Sequence, residues 1–113
     1  MDEIIRRLER QEAVTEVQNV MSRYVYLHSA SRNEEILELF ALKTPGVRVE
    51  FGGEVRYGEA GVKQQFTGLL GACEVDLTGR MYSHDLMTPL IEVAEDCQTA
   101  VGMWMSFGTS QGL

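Results

Sequence analysis

The sequence predicts an α+β domain, with helices packed on one face of a curved antiparallel sheet. Three observations carry this. Apolar residues in the first 28 positions recur at helical steps. Two short alternating runs flank Gly52-Gly53, as in a β-hairpin. The last third holds two long strand-like segments separated by a short turn. Helices first and long antiparallel strands last is the order of an α+β fold. At 113 residues the chain reads as one domain, 1–113, able to bury roughly two-thirds of its unfolded surface.

Taken in order, the first helix places Ile4, Ile5, Leu8, Ala13, Val17, Val20, Met21, Tyr24 and Val25 at three- and four-residue steps. Its other side carries Arg6, Arg7, Glu9, Arg10, Glu12 and Glu16, a solvated face with Asp2–Arg6 and Glu3–Arg7 at four-residue spacing. Ser31-Arg32-Asn33-Glu34 fits a capping box that opens a second helix through Ile36, Leu37, Leu39 and Phe40. Lys43-Thr44-Pro45-Gly46 stops it. Val47 to Phe51 and Glu54 to Tyr57 form the hairpin. After Gly58 a third helix puts Val62, Phe66, Leu69 and Leu70 on one face, and Gly68 and Gly71 weaken and end it. Arg80 to Val93 is a long strand, Ala94 to Gln98 a turn, and Thr99 to Phe107 a strand with Val101, Met103, Met105 and Phe107 on one face. Thr109 to Leu113 reads as loose.

The bulk properties exclude several roles. The net charge is −7, from 17 acidic and 10 basic residues. Such a surface repels phosphate backbones and anionic membranes, so neither nucleic acid nor membrane is an expected partner. No apolar run approaches the roughly 18 residues of a membrane span. The start, Met1-Asp2-Glu3-Ile4-Ile5-Arg6-Arg7, has acids where a signal peptide carries bases, which points to the cytoplasm. Cys73 and Cys97 lie far apart and read as free thiols. The chain has no Gly-rich phosphate loop, no Gly-x-Ser-x-Gly elbow and no His, Cys and carboxylate run with metal spacing. No nucleotide cofactor and no metal is expected.

His84 is the leading candidate for chemistry. Tyr82, His84, Leu86 and Thr88 share a face of their strand. An imidazole there, among apolar neighbours, can move a proton near neutral pH. The competing reading is a histidine hydrogen-bonded within the core or at an interface. Tyr24 lies near the end of the first helix, where its hydroxyl either donates to a substrate oxygen or caps a core aromatic. His28, one turn on, lines the cavity mouth or marks the helix C-terminus, and the second reading is preferred. Asp85 points to the opposite face from His84. Trp104 with Met81, Met87, Met103 and Met105 makes an adaptable apolar set that would suit an irregular ligand, while the preferred reading is plain core or a sheet face buried in a dimer.

The order of these segments resembles the SnoaL-like branch of the nuclear transport factor 2-like superfamily. The resemblance rests on Arg23-Tyr24, Glu35 to Phe40, Phe51-Gly52-Gly53, Gly58-Glu59-Ala60, His84 to Val93 and the Asp96 to Ala100 turn. It implies a cone-shaped curved antiparallel sheet with three helices on its concave face, a cystatin-like α+β barrel. It implies a cavity for a small hydrophobic molecule, and a homodimer or higher homo-oligomer. It implies a cofactor-independent lyase or isomerase, dehydratase- or cyclase-like, with His84 and Tyr24 as the catalytic pair. Ser29, Tyr82, Leu86, Thr88 and Trp104 would contact substrate. In the dehydratase-like members the working set resembles a helix Tyr, an Asp five residues later and the strand His. Here the middle place falls on Ser29. The alternative is a non-catalytic ligand-binding or dimerisation module of the same fold. Family members commonly add one or two strands after the Trp-bearing one, so the resemblance implies a sheet left open at Leu113 or completed by a partner chain.

Overall fold

A computed structural model describes the backbone of residues 2–68 and 81–111 and the side chains of 2–68 and 84–107. Helix α1 (Asp2–Ser29) leads to a short helix α2 (Asn33–Ile36) and a 3-10 turn (Leu37–Leu39). Strands β1 (Arg48–Phe51) and β2 (Glu54–Tyr57), helix α3 (Gly58–Thr67), and strands β3 (Met81–Val93) and β4 (Ala100–Gln111) follow. This is an α+β fold. The four strands form two antiparallel pairs, β1 with β2 and β3 with β4, and among the described residues no ladder joins the pairs into one sheet.

The end of α1 departs from the capping-box expectation. Ser31 sits at φ 55°, its N–H donates to the His28 carbonyl at 3.0 Å, and the Arg32 N–H donates to the Leu27 carbonyl at 2.9 Å. That is a Schellman motif, with Ser31 in the left-handed place glycine usually takes. An N-cap needs extended backbone, so Ser31 closes α1 and cannot also open α2. Arg32 takes the N-cap place of α2 with no side-chain cap. The second helix is shorter than expected, tightening at Leu37 and ending at Phe40, which turns to extended backbone. Pro45 and Gly46 fall in the following loop.

The hairpin β1–β2 pairs Phe51 with Glu54 around Gly52 and Gly53. Both glycines have positive φ, 58° and 84°, the geometry of a two-residue hairpin turn that follows the strand twist. Helix α3 packs back on both strands. Its Gly61 lies so near β2 that a Cβ would meet the Arg56 carbonyl carbon at 2.7 Å. Gly68 ends α3, as expected. Leu69, Leu70, Gly71 and Cys73 lie outside the described residues.

Ile36, Val62 and Phe66 are the buried core of the described residues. Tyr24, Leu27, Leu37, Phe40, Leu42, Val47 and Val49 pack around them. Phe66 meets Phe40 at 5.5 Å, Phe51 at 6.0 Å and Tyr24 at 6.0 Å between ring centroids, the last two edge to face. Such pairs add roughly 0.5–1.5 kcal/mol each beyond area burial.

In the long hairpin, β3 and β4 are in register from Met81–Gln111 to Met87–Met105, then resume at Leu90–Met103. Thr88 and Pro89 therefore stand opposite Trp104 alone, a β-bulge. Pro89 has no N–H to give a ladder, and a bulge is where a strand tolerates that loss. The bulge switches the inward parity of β3. His84 and Leu86 face α1 before it, and Ile91 and Val93 after it; Asp85, Met87, Leu90 and Glu92 face away. Along β4, Trp104 faces inward, while Val101, Met103, Met105 and Phe107 face out as expected. Strand β4 runs to Gln111, so the stretch from Thr109, read as loose, is paired to β3 up to that point. The turn between them, Ala94 to Thr99, is closed by the Ala94 N–H to the Thr99 carbonyl and by the Gln98 N–H to Asp96 Oδ1 at 3.0 Å.

Candidate functional site

Helix α1 lies along the inner face of β3, and the site forms where its last turns meet the middle of that strand. Arg10 Nη1 donates to the Val93 carbonyl at 2.7 Å and ties the other end of the hairpin to the helix. At the far end, a pocket of about 390 Å³ opens between α1 and β3, lined by Ser22, Val25, Tyr26, Ser29, His84, Asp85 and Leu86. Its size falls in the usual range for small-molecule sites. The helix residues 22, 25, 26 and 29 recur at three- and four-residue steps. They form a stripe beside the core stripe that holds Tyr24 and Leu27.

The structure brings three of the expected site residues to this pocket: His84, Ser29 and Leu86. Tyr24 is not among its lining. Its ring stacks at 5.8 Å on His28 and meets Phe66 edge to face, so it belongs to the core side of α1. Burial raises its phenol above the usual tyrosine value, which keeps the hydroxyl protonated at all ordinary pH. Thr88 does not share the face of His84. It sits in the bulge at φ 55°, exposed, because the extra residue turns it out of the strand's alternation. Trp104 is inward but lies elsewhere, its ring over Gly102 near Val17. The Tyr82 side chain lies outside the described residues.

The residue that meets His84 from the helix is His28. Their ring centroids are 5.1 Å apart with the planes at 89°. His28 is the last basic residue of α1, as expected, yet its ring is turned to the strand rather than left to the helix terminus. Burial, and after it the imidazole of His84, hold His28 below the usual histidine range. The order Phe66, Tyr24, His28, His84 is thus a continuous aromatic column from the core to the pocket. The spacing from Tyr24 to His28 was the signal for it; the contact to β3 depends on how the two elements dock.

Chemically, the pocket offers one imidazole with a second behind it, the hydroxyl-bearing Ser22, Ser29 and Tyr26, the acidic Asp85 next to His84 in the chain, and apolar walls from Val25 and Leu86. Among the described residues no three His, Cys, Asp or Glu side chains are grouped to hold a metal. No helix there is long and apolar enough to cross a membrane. A second hollow of about 330 Å³ lies between Ala13, Glu16, Val17 and Val20 of α1 and the Cys97–Ala100 turn.

A search of curated proteins returns no match. A family model described as SnoaL-like domain matches residues 9–112. The match spans α1 through β4 and agrees with the α+β order of helices and antiparallel strands. The chain therefore belongs to the SnoaL-like domain family of the nuclear transport factor 2-like superfamily.

Proposed function

We propose that this SnoaL-like domain binds a small, mainly apolar molecule in the pocket between α1 and β3 and acts on it without a cofactor, as a lyase or isomerase. The observation that carries the reading is His84 on the wall of the 390 Å³ pocket, with Ser29 and Leu86 beside it. In this reading His84 takes a proton from a carbon next to a carbonyl, or gives one to a leaving hydroxyl. Ser22 and Ser29 orient the ligand's oxygen. Tyr24 acts through His28, by fixing the ring that backs His84.

The test needs no knowledge of the natural substrate. Apolar ketones and cyclic enones are incubated with the protein in D2O, and deuterium uptake at the carbon beside the carbonyl is followed by NMR. Catalysed exchange that disappears in His84→Ala supports the reading. Exchange that persists in that variant removes His84 from the chemistry.

A second reading has its own observation. Ser29 lines the pocket where the dehydratase-like set carries a carboxylate, and Tyr24 is turned to the core. A hydroxyl cannot hold an imidazolium as a carboxylate does. This favours a binding module, for which ligands bind in the pocket and no exchange is catalysed.

A further inference from the structure

The second hollow, of about 330 Å³, is walled by the middle of α1 and by the turn end of the β3–β4 hairpin. It shares no lining residue with the pocket of His84. Along α1 the hollow runs from Ala13 to Val20 and the pocket from Ser22 to Ser29. At the helical rise per residue their centres stand about 13 Å apart. The hollow exists because small side chains meet there. Val93 pairs with Ala100 across the hairpin, and Ala13 lines the space from the helix. Its walls are held in place. Arg10 Nη1 donates to the Val93 carbonyl at 2.7 Å. The turn is closed by the Ala94 N–H on the Thr99 carbonyl and the Cys97 N–H on the Ala94 carbonyl, each at 2.9 Å. A site formed before its ligand arrives loses little to ordering when it binds.

Charge selects the occupant. Residues 11–22 of α1 include Glu12 and Glu16 and no Lys or Arg. Residues 81–113, which contain both long strands, include Asp85, Glu92, Glu95 and Asp96 and again no Lys or Arg. The hollow therefore lies between two stretches whose only full charges are negative. Glu16 is the one charged residue of its lining. Among the described residues no Lys or Arg forms a salt bridge with it. The nearest base along the chain, Arg10, lies outside the lining and donates to the Val93 carbonyl. Beside Glu16, the side chains of Val17, Val20 and Val93 offer apolar surface.

We propose that this hollow is a second ligand site, which binds a small organic cation: an ammonium group on an apolar body. The ammonium lies against the Glu16 carboxylate, and the body lies against Val17, Val20 and Val93. An anion of the same shape meets a surface of its own sign and is repelled. Glu16 is exposed, so its ion pair with the ligand changes affinity by a factor of about two to five, and burial of the apolar body supplies the rest. The inference stands apart from the pocket reading, since it concerns a different stretch of α1 and involves no proton transfer.

The test uses three molecules of one shape: phenethylamine, a cation near neutral pH, phenethyl alcohol, which is neutral, and phenylacetate, an anion. Each is titrated into the whole isotope-labelled chain at neutral pH and low salt, with the backbone amide signals followed by NMR. The amine moves the signals of Val17, Val20, Cys97 and Ala100 saturably, with a Kd on the order of 1 mM. It leaves the ring signal of His84 in place. The alcohol binds about two- to fivefold more weakly, and phenylacetate more weakly still. Raising NaCl to about 300 mM narrows the gap between amine and alcohol. Glu16→Gln weakens the amine by about two- to fivefold and leaves the alcohol unchanged. Ala13→Leu fills the hollow from a helix position that suits leucine, and weakens both. No saturable shift at those four amides overturns the proposal. So does an amine that binds no tighter than the alcohol, or binding indifferent to Glu16→Gln or to Ala13→Leu. An amine that moves His84 instead overturns it as well, because it then occupies the pocket. None of these results bears on deuterium exchange at His84, so the two readings fail separately.

Discussion

Replacing Gly102 by alanine tests how the hairpin is seated on α1. A Cβ at Gly102 would lie 2.7 Å from two carbons of the Trp104 ring and 3.4 Å from Val17 Cγ1. Real Cβ atoms do not approach that closely, so the indole must swing outward by several tenths of an ångström. The ring is the far end of a side chain, which softens the clash, but Val17 on α1 limits the movement. Overpacking of this kind costs about 1–3 kcal/mol. Restricting the unfolded chain by losing a glycine returns about 0.4–1 kcal/mol. The net loss is about 1–2 kcal/mol, or a melting temperature lower by roughly 5–10 °C for a domain of this size. Thermal unfolding followed by circular dichroism at one protein concentration reads the loss, and Trp104 emission reads the displaced ring. A Gly102→Ala protein that melts within about 2 °C of the parent, with unchanged emission, would refute this packing of Trp104 over Gly102.

Four further outcomes rest on the same structure. Ser31→Gly stabilises the chain by up to about 1 kcal/mol in denaturant unfolding, because Ser31 holds a left-handed φ at the close of α1; a loss would mean that Ser31 serves as the N-cap of α2 after all. Phe66→Ala costs about 3–5 kcal/mol, since it removes the ring on which Tyr24, Phe40 and Phe51 converge, and a cost below 1 kcal/mol in the same measurement speaks against that core. His28 binds its proton less tightly in the folded chain than in the unfolded one. Its contribution to stability is therefore fully present above about pH 6.5 and is lost as pH falls toward the folded midpoint. In His84→Gln the His28 titration, followed by its ring Cε1–H signal, moves upward, and burial keeps it short of the ordinary value; no movement would mean that the two rings do not interact.

Much of the fold was legible in the residues because it depends on local periodicity. The helical recurrence from Ile4 to Val25 gave α1, Gly52-Gly53 gave the first hairpin, and the alternation in Val101 to Phe107 gave the two faces of β4. The misses arise where a residue obeys a neighbour rather than its own spacing. Ser31 has the composition of an N-cap, but the last carbonyls of α1 claim the following N–H groups first. Thr88 continues the alternation of His84 and Leu86 on paper, and the bulge at Thr88-Pro89 breaks it. Pro89 within a strand was the available sign, because it cannot donate to the ladder.

The site was legible in part for the same reason. His84 stood out by its chemistry, Leu86 by sharing its face of the strand, and Ser29 only by the family resemblance, which places it five residues after Tyr24. The stripe Ser22, Val25, Tyr26 and Ser29 was present at helical spacing, but beside a stronger apolar stripe it carried no sign of lining a pocket. That His28 rather than Tyr24 touches His84 depends on the rotation of α1 over β3, which no single segment encodes. The outward set Val101, Met103, Met105 and Phe107 was visible as the odd-numbered residues of β4, and its exposure came only with the structure.

The proposed function turns on His84, which lines the pocket between α1 and β3 and would meet whatever binds there. The most direct measurement is a titration of the protein with an apolar ketone that binds it, following the ring Cε1–H signals of His84 and His28 and the indole N–H of Trp104 by NMR. A large saturable shift is expected at His84, a smaller one at His28 behind it, and none at Trp104. A bound ketone that leaves the His84 signal unmoved would contradict that function.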